Sequence, residues 1–569
     1  MGKFQSRTLF FSTSPRNPEL IPKYLKLIRN KGLEGKKYNK DLQIEFYEKI
    51  SSANIAESST GGKSKDKGFS GREKMTRAPQ ALGFLIPRNG KPLEITEAGN
   101  LLMDEELFED IMLHQLLKFQ LPSPLHKETI GANNNLFRIK PFLEIIRLIY
   151  VLEYLTYQEL SLFAITLTDY RNFNDTVKKI KEYREERSNI KGSKSLKSFY
   201  TDFQTEIFSQ VYEKQLNEKK FNIRENKEKN EKKFLKTKIT NAKDYTDSIF
   251  RFLRATGLFV LTKGKSMTIS SERMDEVKFI LENIDREIVS PNIPLTEYFE
   301  YLKNPRVPIL KNDNIEVIKQ EIVSKGLSSN SKDIYELKKI LNSYRVNKRE
   351  EKLFEITQRL KLKNKNDIDD IIQTYLQIQN NEVPDRSAVM EWNTWRAAVM
   401  INNGDIVGNF IPDDNGYPIS TAGGSKGDVV GDYGNFSILY EVTLSTGKKQ
   451  YDMEGEPVPR HVGEYRKKTG KETFAFFIAD KLNPESIYHF YLTTLIKSKI
   501  YDGHISVIPL NLSDFIKFFE MSIKKNLQPD DLKDLHNYSI KLSKESLING
   551  KDEEYWYNGI KEYLLEKVS

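Results

Sequence analysis

The segment Phe436–Thr443 reads Phe-Ser-Ile-Leu-Tyr-Glu-Val-Thr, and it decides the fold expected for the C-terminal part of this 569-residue chain. Its alternation predicts a β-strand with Glu441 and Thr443 on the same face. Asp428 stands thirteen residues before Glu441, behind a turn expected at Gly431 to Asn435. Because a hairpin of that length returns the chain alongside itself, we expect Asp428 to lie beside Glu441.

Two neighbouring carboxylates in an otherwise basic protein indicate a metal-dependent nuclease. Cleaving a phosphodiester requires a hard cation, such as Mg²⁺, that neutralises developing charge and activates water, and such cations take oxygen ligands. The arrangement follows the PD-(D/E)xK nuclease core, in which an Asp and a Glu on adjacent strands bind the metal. Thr443 stands where that core usually has Lys, and Glu454 could fill the missing role as a base or a further ligand. Alternatively, Asp428 is a turn residue and Glu441 a solvated strand residue, because loose motifs recur by chance.

Composition favours a soluble globular protein of several domains, with 38% hydrophobic and 30% charged residues. No apolar run reaches the roughly 18 residues of a membrane span, and Met1 to Phe11 does not resemble a signal peptide. The absence of Cys excludes disulfides and Cys-based zinc sites, and the six His are scattered. We therefore expect a protein of the bacterial or archaeal cytoplasm.

Charge is distributed unevenly along the chain. Residues 1–100 hold 19 Lys and Arg against 10 Asp and Glu, whereas residues 391–569 hold 21 against 26. A basic front and an acidic rear suit a DNA-docking part joined to a metal-binding part. Alternatively, the Lys content merely reflects a proteome rich in Lys and Asn.

Residues 1–130 are predicted to form a winged-helix-like DNA-recognition domain. Helices are expected at Pro18 to Arg29 and at Arg72 to Leu82. Asn89-Gly90 between apolar runs predicts a hairpin, and Thr96 is expected to cap the next helix. A helix followed by a hairpin is the winged-helix pattern, which places one helix in the major groove of DNA.

The candidate DNA contacts of this domain are basic residues around the expected recognition helix. Arg72, Lys74 and Arg77 are the candidates for reading bases, since Arg bonds bidentately to guanine. Phosphate contact without base readout is the alternative for all three, because at least half of protein–DNA hydrogen bonds go to the backbone. The residues expected to contact the DNA backbone are Lys63, Lys65 and Lys67.

Residues 131–300 are predicted to repeat the pattern as a second winged-helix-like DNA-binding domain. Its helices are expected at Pro141 to Leu155, Thr156 to Thr168, Asn174 to Ser188 and Asp244 to Ala255. Its wing is expected at Leu258 to Leu261 and Met267 to Ile269. Helical segments rich in Lys, Glu and Asn then predict a linker over residues 301–385.

Residues 386–569 are predicted to form an α/β domain with a mixed sheet. Arg386 to Ile401 is an amphipathic helix, and Thr473 to Ala479 is a continuous apolar run, as expected of a buried strand. His504 to Leu510 predicts another strand, after which Ser513 is expected to cap a helix. Further helices are expected at Lys448 to Lys468, where Pro457 and Pro459 interrupt, and at Glu485 to Lys497.

Several short motifs resemble those of type IIS restriction endonucleases of the AlwI family. The chain is also similar to the large subunits of site-specific nicking endonucleases. The motifs occur in the same order over most of the chain. At the rear they are Glu391-Trp392-Asn393-Thr394-Trp395, Gly427-Asp428, Glu441-Val442-Thr443 and Met453 to His461. At the front they are Ser12 to Arg16, Ala78-Pro79 with Gly83-Phe84, Ile95 to Gly99 and Thr256 to Val260.

The resemblance implies an α+β multidomain enzyme. Tandem winged-helix domains would read a short asymmetric DNA site, and a PD-(D/E)xK-like domain beyond a helical linker would cut at a fixed distance from it. Asp428 and Glu441 would bind Mg²⁺, Glu454 would complete the acidic cluster, and Glu391 and His461 would lie close by. His461 could be a base, a phosphate contact or a structural residue. Thr443 agrees with this family's pattern.

Two classes of function remain open at this point. The first is a sequence-specific endonuclease acting on double-stranded DNA. It would either cut both strands by pairing with a second copy, or nick one strand unless a small nuclease subunit supplies the second active site. The second is a DNA-binding regulator or replication initiator without chemistry, which would leave the acidic cluster unexplained.

Overall fold

The computed structural model describes residues 6–53, 55, 66–126, 135–221, 230–262, 266–401, 404–421, 427–501 and 503–568. The chain divides into two compact units, with the boundary between Asn347 and Lys348. The divisions expected at residues 130, 300 and 385 are different from this boundary and stay predictions. No helix among the described residues is long and apolar enough to cross a membrane.

The first unit is mainly helical. Within its described residues the strands form two antiparallel hairpins, β1 (Leu85–Ile86) with β2 (Glu94–Ile95) and β3 (Phe259–Leu261) with β4 (Met267–Ile269). Short 3-10 turns lie at Glu105–Leu107, Tyr170–Asn172, Ser271–Arg273 and Lys311–Asp313, and a π turn at Leu160–Ala164. The α-helices are Leu20–Asn30, Lys40–Ser52, Lys67–Thr76, Ala78–Ala81, Glu97–Leu102, Phe108–Lys118, Pro141–Leu152, Tyr157–Glu159, Phe173–Ser188, Ser193–Val211, Glu213–Asn217, Glu231–Arg254, Met274–Asn283, Leu295–Lys303 and Ile315–Ser324.

The segment expected to be one helix from Arg72 to Leu82 is helical over most of its length, but the predicted bounds were wrong, since it is divided in two and its first part begins earlier. The helix begins at Lys67, where Asp66 accepts a hydrogen bond from the Phe69 N–H at 2.9 Å, and it ends at Thr76. A separate turn follows at Ala78–Ala81. Pro79 explains the break, because it lacks the N–H that would continue the first helix and its ring clashes with the preceding turn.

Gly71 allows the helix Lys67–Thr76 to pack closely on Lys40–Ser52. A Cβ at position 71 would lie 2.0 Å from the carbonyl oxygen of Gln43. The two backbones therefore meet at a distance that only glycine permits. The predicted hairpin follows as β1 and β2, and Thr96 caps the next helix by accepting from the Gly99 N–H at 3.0 Å, so both predictions are confirmed.

The second group of helices in this unit departs from expectation mainly in length. The segment expected to be one helix from Thr156 to Thr168 contains only Tyr157–Glu159 and the π turn, although Thr156 caps it through a capping box with Glu159. The helix expected from Asp244 already begins at Glu231. Strands β3 and β4 pair as expected of the second wing, whose tip at residues 263–265 lies outside the described residues.

The strands of the second unit are β5 (Asp405–Gly408), β6 (Phe410–Pro412), β7 (Pro418–Thr421), β8 (Val429–Asp432), β9 (Phe436–Thr443), β10 (Glu472–Ala479) and β11 (Val507–Asn511). Five of them form a mixed sheet in the order β11-β10-β9-β8-β5. Strands β9, β10 and β11 are parallel, whereas β8 and β5 are antiparallel to their neighbours, and β6 and β7 form a separate hairpin. The predicted mixed sheet is confirmed.

Helices cover this sheet and close the core around β9 and β10. The helices are Lys365–Gln379, Arg386–Ile401, Lys448–Glu454, Pro457–Thr469, Pro484–Leu495, Leu512–Lys525, Pro529–Ile548 and Glu553–Val568, and Ile334–Lys361 spans the boundary between the units. From Thr473 onward β10 is fully buried, which confirms the buried strand predicted there. The cap expected at Ser513 was wrong: Asn511, at the end of β11, accepts from the Asp514 N–H at 2.9 Å and starts the helix earlier.

Candidate active site

The hairpin of β8 and β9 brings Asp428 to Glu441, as the sequence predicts. Val429 pairs with Tyr440, so the residues next along the two strands are Asp428 and Glu441. The Asp428 carboxylate accepts a hydrogen bond from the Val442 N–H at 2.8 Å, which ties it to the backbone of β9. Glu441 is only 4% exposed, which excludes the alternative of a solvated strand residue.

Glu454 reaches the same place from the helix Lys448–Glu454. The Thr443 side chain hydrogen-bonds to the Glu454 carboxylate. This contact engages the residue that stands in the third motif position, where the nuclease core usually has Lys. Buried Gln450 holds this helix against the sheet, since its amide donates to the carbonyls of Ser445 and Lys481, both at 2.8 Å. Sequence reasoning missed Gln450, because a single Gln among polar residues carries no motif.

His461 and Glu391 approach from two further helices. Nδ1 of His461, on Pro457–Thr469, lies 2.9 Å from Oε1 of Glu441. Burial lowers the pKa of His461, and the charge of Arg460 lowers it further. Glu391 lies on Arg386–Ile401, a helix fixed by the hydrogen bond from Trp392 Nε1 to the Gly416 carbonyl at 2.9 Å.

The four carboxylates repel one another. Burial raises the pKa of Asp428 well above its usual range, and the charge of Glu441 raises it further. Burial and then the charge of Glu454 do the same for the pKa of Glu441. The pKa of Glu391 is raised by burial and by Asp428, and burial raises the pKa of Glu454 against the hydrogen bond from Thr443. The cluster therefore concentrates negative charge that a cation would neutralise.

The geometry fits a magnesium ion that is bound partly by protein carboxylates and partly by water and substrate. In the described part of the chain, no three His, Cys, Asp or Glu side chains form a ready-made metal cage. Mg²⁺ is usually bound through one or two carboxylates, with water and substrate phosphate completing its shell. Gly427 leaves space beside Glu441, because a Cβ there would lie 3.0 Å from Oε1. Asp428 and Glu441 are thus a suitable pair of ligands.

Four of the six candidate DNA-binding residues lie on the helix Lys67–Thr76 or directly after it. Arg72 is exposed, and its guanidinium lies 5.1 Å from the centre of the Phe69 ring. Lys74 is half-buried, with Nζ 5.9 Å from the centre of the Tyr24 ring. Phe69 is itself 41% exposed, so Arg72 and Phe69 together present a cation and an aromatic ring at the surface.

Arg77 and Lys67 stand at opposite ends of this helix. Arg77 follows the last helical residue, and its guanidinium pairs with Glu73 and donates to the Thr13 hydroxyl at 3.0 Å. Lys67 pairs with Glu48 at 2.7 Å, and both side chains are about half exposed. The remaining two candidates, Lys63 and Lys65, lie outside the described residues.

The chain that carries this acidic cluster belongs to a class of DNA-cleaving enzymes. Residues 80–518 match the AlwI restriction endonuclease, and the chain is therefore a member of the AlwI restriction endonuclease family. The resemblance stated from the motifs is thereby confirmed. A comparison with curated proteins found no match.

Two solved structures of endonucleases are similar to parts of the chain. The small subunit of the heterodimeric restriction endonuclease R.BspD6I is 29% identical and covers 34% of this chain and 98% of its own length, with a TM-score of 0.29. The BpuJ1 endonuclease binding domain, solved in complex with modified DNA, is 11% identical and covers 53% of this chain and 98% of its own length, with a TM-score of 0.34.

Proposed function

We propose that the protein is a type IIS restriction endonuclease that depends on Mg²⁺ and cuts DNA at a fixed distance from a short asymmetric site. The observation that carries the proposal is the convergence of Asp428, Glu441 and Glu454 on one end of the β8–β9 hairpin in a chain of the AlwI family. The second unit would be the PD-(D/E)xK-like nuclease domain. The helix-and-hairpin segments of the first unit would be its winged-helix readers.

Each residue of the site has a role that follows from its contacts. Asp428 and Glu441 would hold Mg²⁺, which supplies charge neutralisation and an activated water when bound. The Val442 N–H fixes the Asp428 carboxylate, and His461 orients Glu441 through Nδ1. Glu454, held by Thr443, would position the attacking water and accept its proton, while Glu391 adds negative charge from the facing helix.

DNA reading would fall to the surface of the helix Lys67–Thr76. Exposed Arg72 is the best placed to read a base, because Arg bonds bidentately to guanine. Lys74 would act beside it, and Arg77 would have to exchange its present partners for DNA. Lys67, together with Lys63 and Lys65, would contact phosphates. The substrate would be double-stranded DNA in the cytoplasm.

The test is cleavage of supercoiled plasmid with Mg²⁺ by the wild type beside Asp428→Ala. Loss of a metal ligand removes several kcal/mol of transition-state stabilisation, so the variant should cut roughly 10³-fold more slowly. Its specific DNA binding, measured by gel shift, should stay nearly unchanged. Equal cleavage by both proteins would refute the site.

The same experiment separates the forms that the activity could take. Open circles from wild type alone would establish a nickase. Cleavage of the second DNA strand would then require a small nuclease subunit. Linear fragments of fixed size would mean that two copies pair to cut both strands. DNA binding without cleavage, with or without Mg²⁺, would instead favour a regulator or a replication initiator.

A further inference from the structure

The described strands β8 and β9, which carry the acidic site, contain no Lys or Arg that could receive the DNA phosphate. Thr443 is uncharged and its side chain is engaged with Glu454. Four carboxylates meet here, and a bound phosphodiester would add another negative charge. One divalent ion does not balance that sum, so productive binding of DNA calls for a further positive group close to the cluster.

Arg460 is placed to supply that charge. It lies on the helix Pro457–Thr469 directly before His461, whose Nδ1 contacts Glu441 at 2.9 Å. The charge of Arg460 acts on both Glu441 and His461. Its side chain remains 22% exposed, so it is open to an approaching ligand.

The present partners of Arg460 hold it weakly. Its guanidinium lies 3.1 Å from Glu456 and 3.7 Å from Glu464, one turn away on either side, and those carboxylate side chains are 68% and 48% exposed. Exposed ion pairs of this kind contribute about 1 kcal/mol or less. A guanidinium forms stronger, bidentate hydrogen bonds with phosphate, so DNA would displace both acids.

A second arginine of the same helix shows what a structural guanidinium looks like here. Arg466 donates to the carbonyl of His504 at 2.8 Å and to the carbonyl of Tyr501. These neutral backbone partners fix Arg466 to the segment that precedes β11. Arg460, by contrast, pairs in the described part of the chain with two solvent-exposed acids, Glu456 at the N-cap of this helix and Glu464 within it, and such pairs are easily exchanged.

We propose that Arg460 leaves Glu456 and Glu464 when DNA binds and contacts the phosphate of the strand being cut. The role rests on the proposed nuclease function, because the phosphate must enter the cluster of Asp428 and Glu441. Arg460 would thus be a substrate-contacting residue that neither the strand pattern nor the quoted motif assigns. It compensates for the uncharged Thr443.

The test compares Arg460→Gln and Arg460→Lys with wild type in single-turnover cleavage and in DNA binding with Ca²⁺ replacing Mg²⁺. Loss of a donor to developing charge should slow cleavage by Arg460→Gln about 10²- to 10³-fold. The slope of log affinity against log salt should become shallower by about 0.9, the value expected for one phosphate contact. Arg460→Lys should keep the salt slope and recover part of the rate.

Lys541→Gln is the matched control, since Lys541 is an exposed cation paired with Glu545 one turn away in the same unit. It should leave rate and slope unchanged. The double variant Glu456→Gln, Glu464→Gln should cut at least as fast as wild type, because it frees Arg460. Cleavage and salt slope in Arg460→Gln equal to those of the control would overturn the inference.

A fall in melting temperature that accounts for the lost rate, with an unchanged salt slope, would also overturn it and make Arg460 a helix-stabilising residue. Failure of the wild type to cut any DNA would refute the proposed nuclease instead. The salt slope in Ca²⁺ would still test the Arg460 contact in that case, so the two failures are distinguishable.

Discussion

In the first unit, the carboxylates of Asp110 and Asp313 share the ammonium group of Lys338, at 2.8 and 2.5 Å, and Asp313 also lies 2.9 Å from His114. In the second unit, Asp428 and Glu441 meet without a Lys or Arg contact of that kind among the described residues, and Nδ1 of His461 lies 2.9 Å from Oε1 of Glu441. Both groups are withdrawn from water. They differ in whether a positively charged side chain of the protein pairs with the carboxylates.

The difference appears in the direction of the pKa shifts. Burial alone would raise the pKa of Asp313, but the hydrogen bond from His114 and the charges of His114 and Lys338 hold it well below its usual range. For Asp428, burial and the charge of Glu441 act together and raise the pKa. The first arrangement is a compensated network within the fold, whereas the acids of the second have no ion pair with Lys or Arg among the described residues and, under the proposed function, would bind Mg²⁺.

The largest effect on stability should come from Lys338→Met, which removes the cation from the buried network of Asp110, Asp313 and His114. Removing one partner of a buried ion pair leaves uncompensated charge and costs about 3–5 kcal/mol. We expect a lower melting temperature and faster hydrogen exchange in the helix Phe108–Lys118, which carries Asp110 and His114. Exchange measured by mass spectrometry would localise the loss to this unit.

Lys339→Met is the control for that experiment. Lys339 is the next residue, and its pairs with Asp104 and Glu336 lie nearer the surface, with the Lys339 side chain 26% exposed. Its loss should cost about 1 kcal/mol or less. Equal destabilisation by the two substitutions would show that the buried network has no special role and would remove the contrast between the units.

The second prediction concerns Asp428 and Glu441, whose charges Mg²⁺ should neutralise, so that the ion stabilises the folded protein. A ligand that binds only the folded state adds about 1.4 kcal/mol at ten times its Kd. Wild type should therefore melt at a higher temperature in Mg²⁺ than in EDTA. Asp428→Asn, which removes one ligand and one repelling charge, should show a smaller gain and should melt no lower than wild type in EDTA.

The reverse result would contradict the comparison. If Asp428→Asn lost stability in EDTA as Lys338→Met does, the acids of the second unit would be compensated by groups of the protein itself. If Mg²⁺ raised the melting temperature of both proteins equally, the ion would bind elsewhere.

The sequence predicted the second site better than the first, for a physical reason. Asp428 and Glu441 are neighbours through one hairpin, and strand alternation with a short turn is enough to bring them together. The network of Asp110, Asp313 and Lys338 joins residues up to 228 positions apart, so no local pattern reveals it. Packing of distant helices, not spacing, decides which charges meet.

The same distinction explains the errors of detail. An apolar run marks the buried strand β10 directly, whereas periodicity alone does not give the bounds of the helix expected at Arg72 to Leu82, because the cap at Asp66 and the break before Pro79 set them. Gln450 acts through carbonyls of two different segments, Ser445 and Lys481, and its side chain looks ordinary until the fold is known.

Glu472 should give the smallest effect of the three predictions. It is an acid paired with a cation, like Asp313, but its side chain is still 43% exposed. It lies at the start of β10, where the hydrogen bond from His536 and the ion pair with Lys533 at 2.9 Å lower its pKa to about 2. Because the folded pKa is below the unfolded value of about 4.3, its stabilisation is present above that pH and is lost as the pH falls toward 2.

Glu472→Gln should therefore lower the free energy of unfolding near neutral pH by about 1 kcal/mol or less, since solvent screens a half-exposed pair. The difference from wild type should shrink between pH 5 and pH 3, as measured by urea unfolding at several pH values. A difference that grew on acidification would mean that Glu472 behaves like the uncompensated acids at Asp428 and Glu441, with a raised pKa. A constant difference would assign the effect to packing of His536 on Phe474, whose rings stack at 4.3 Å, and not to charge.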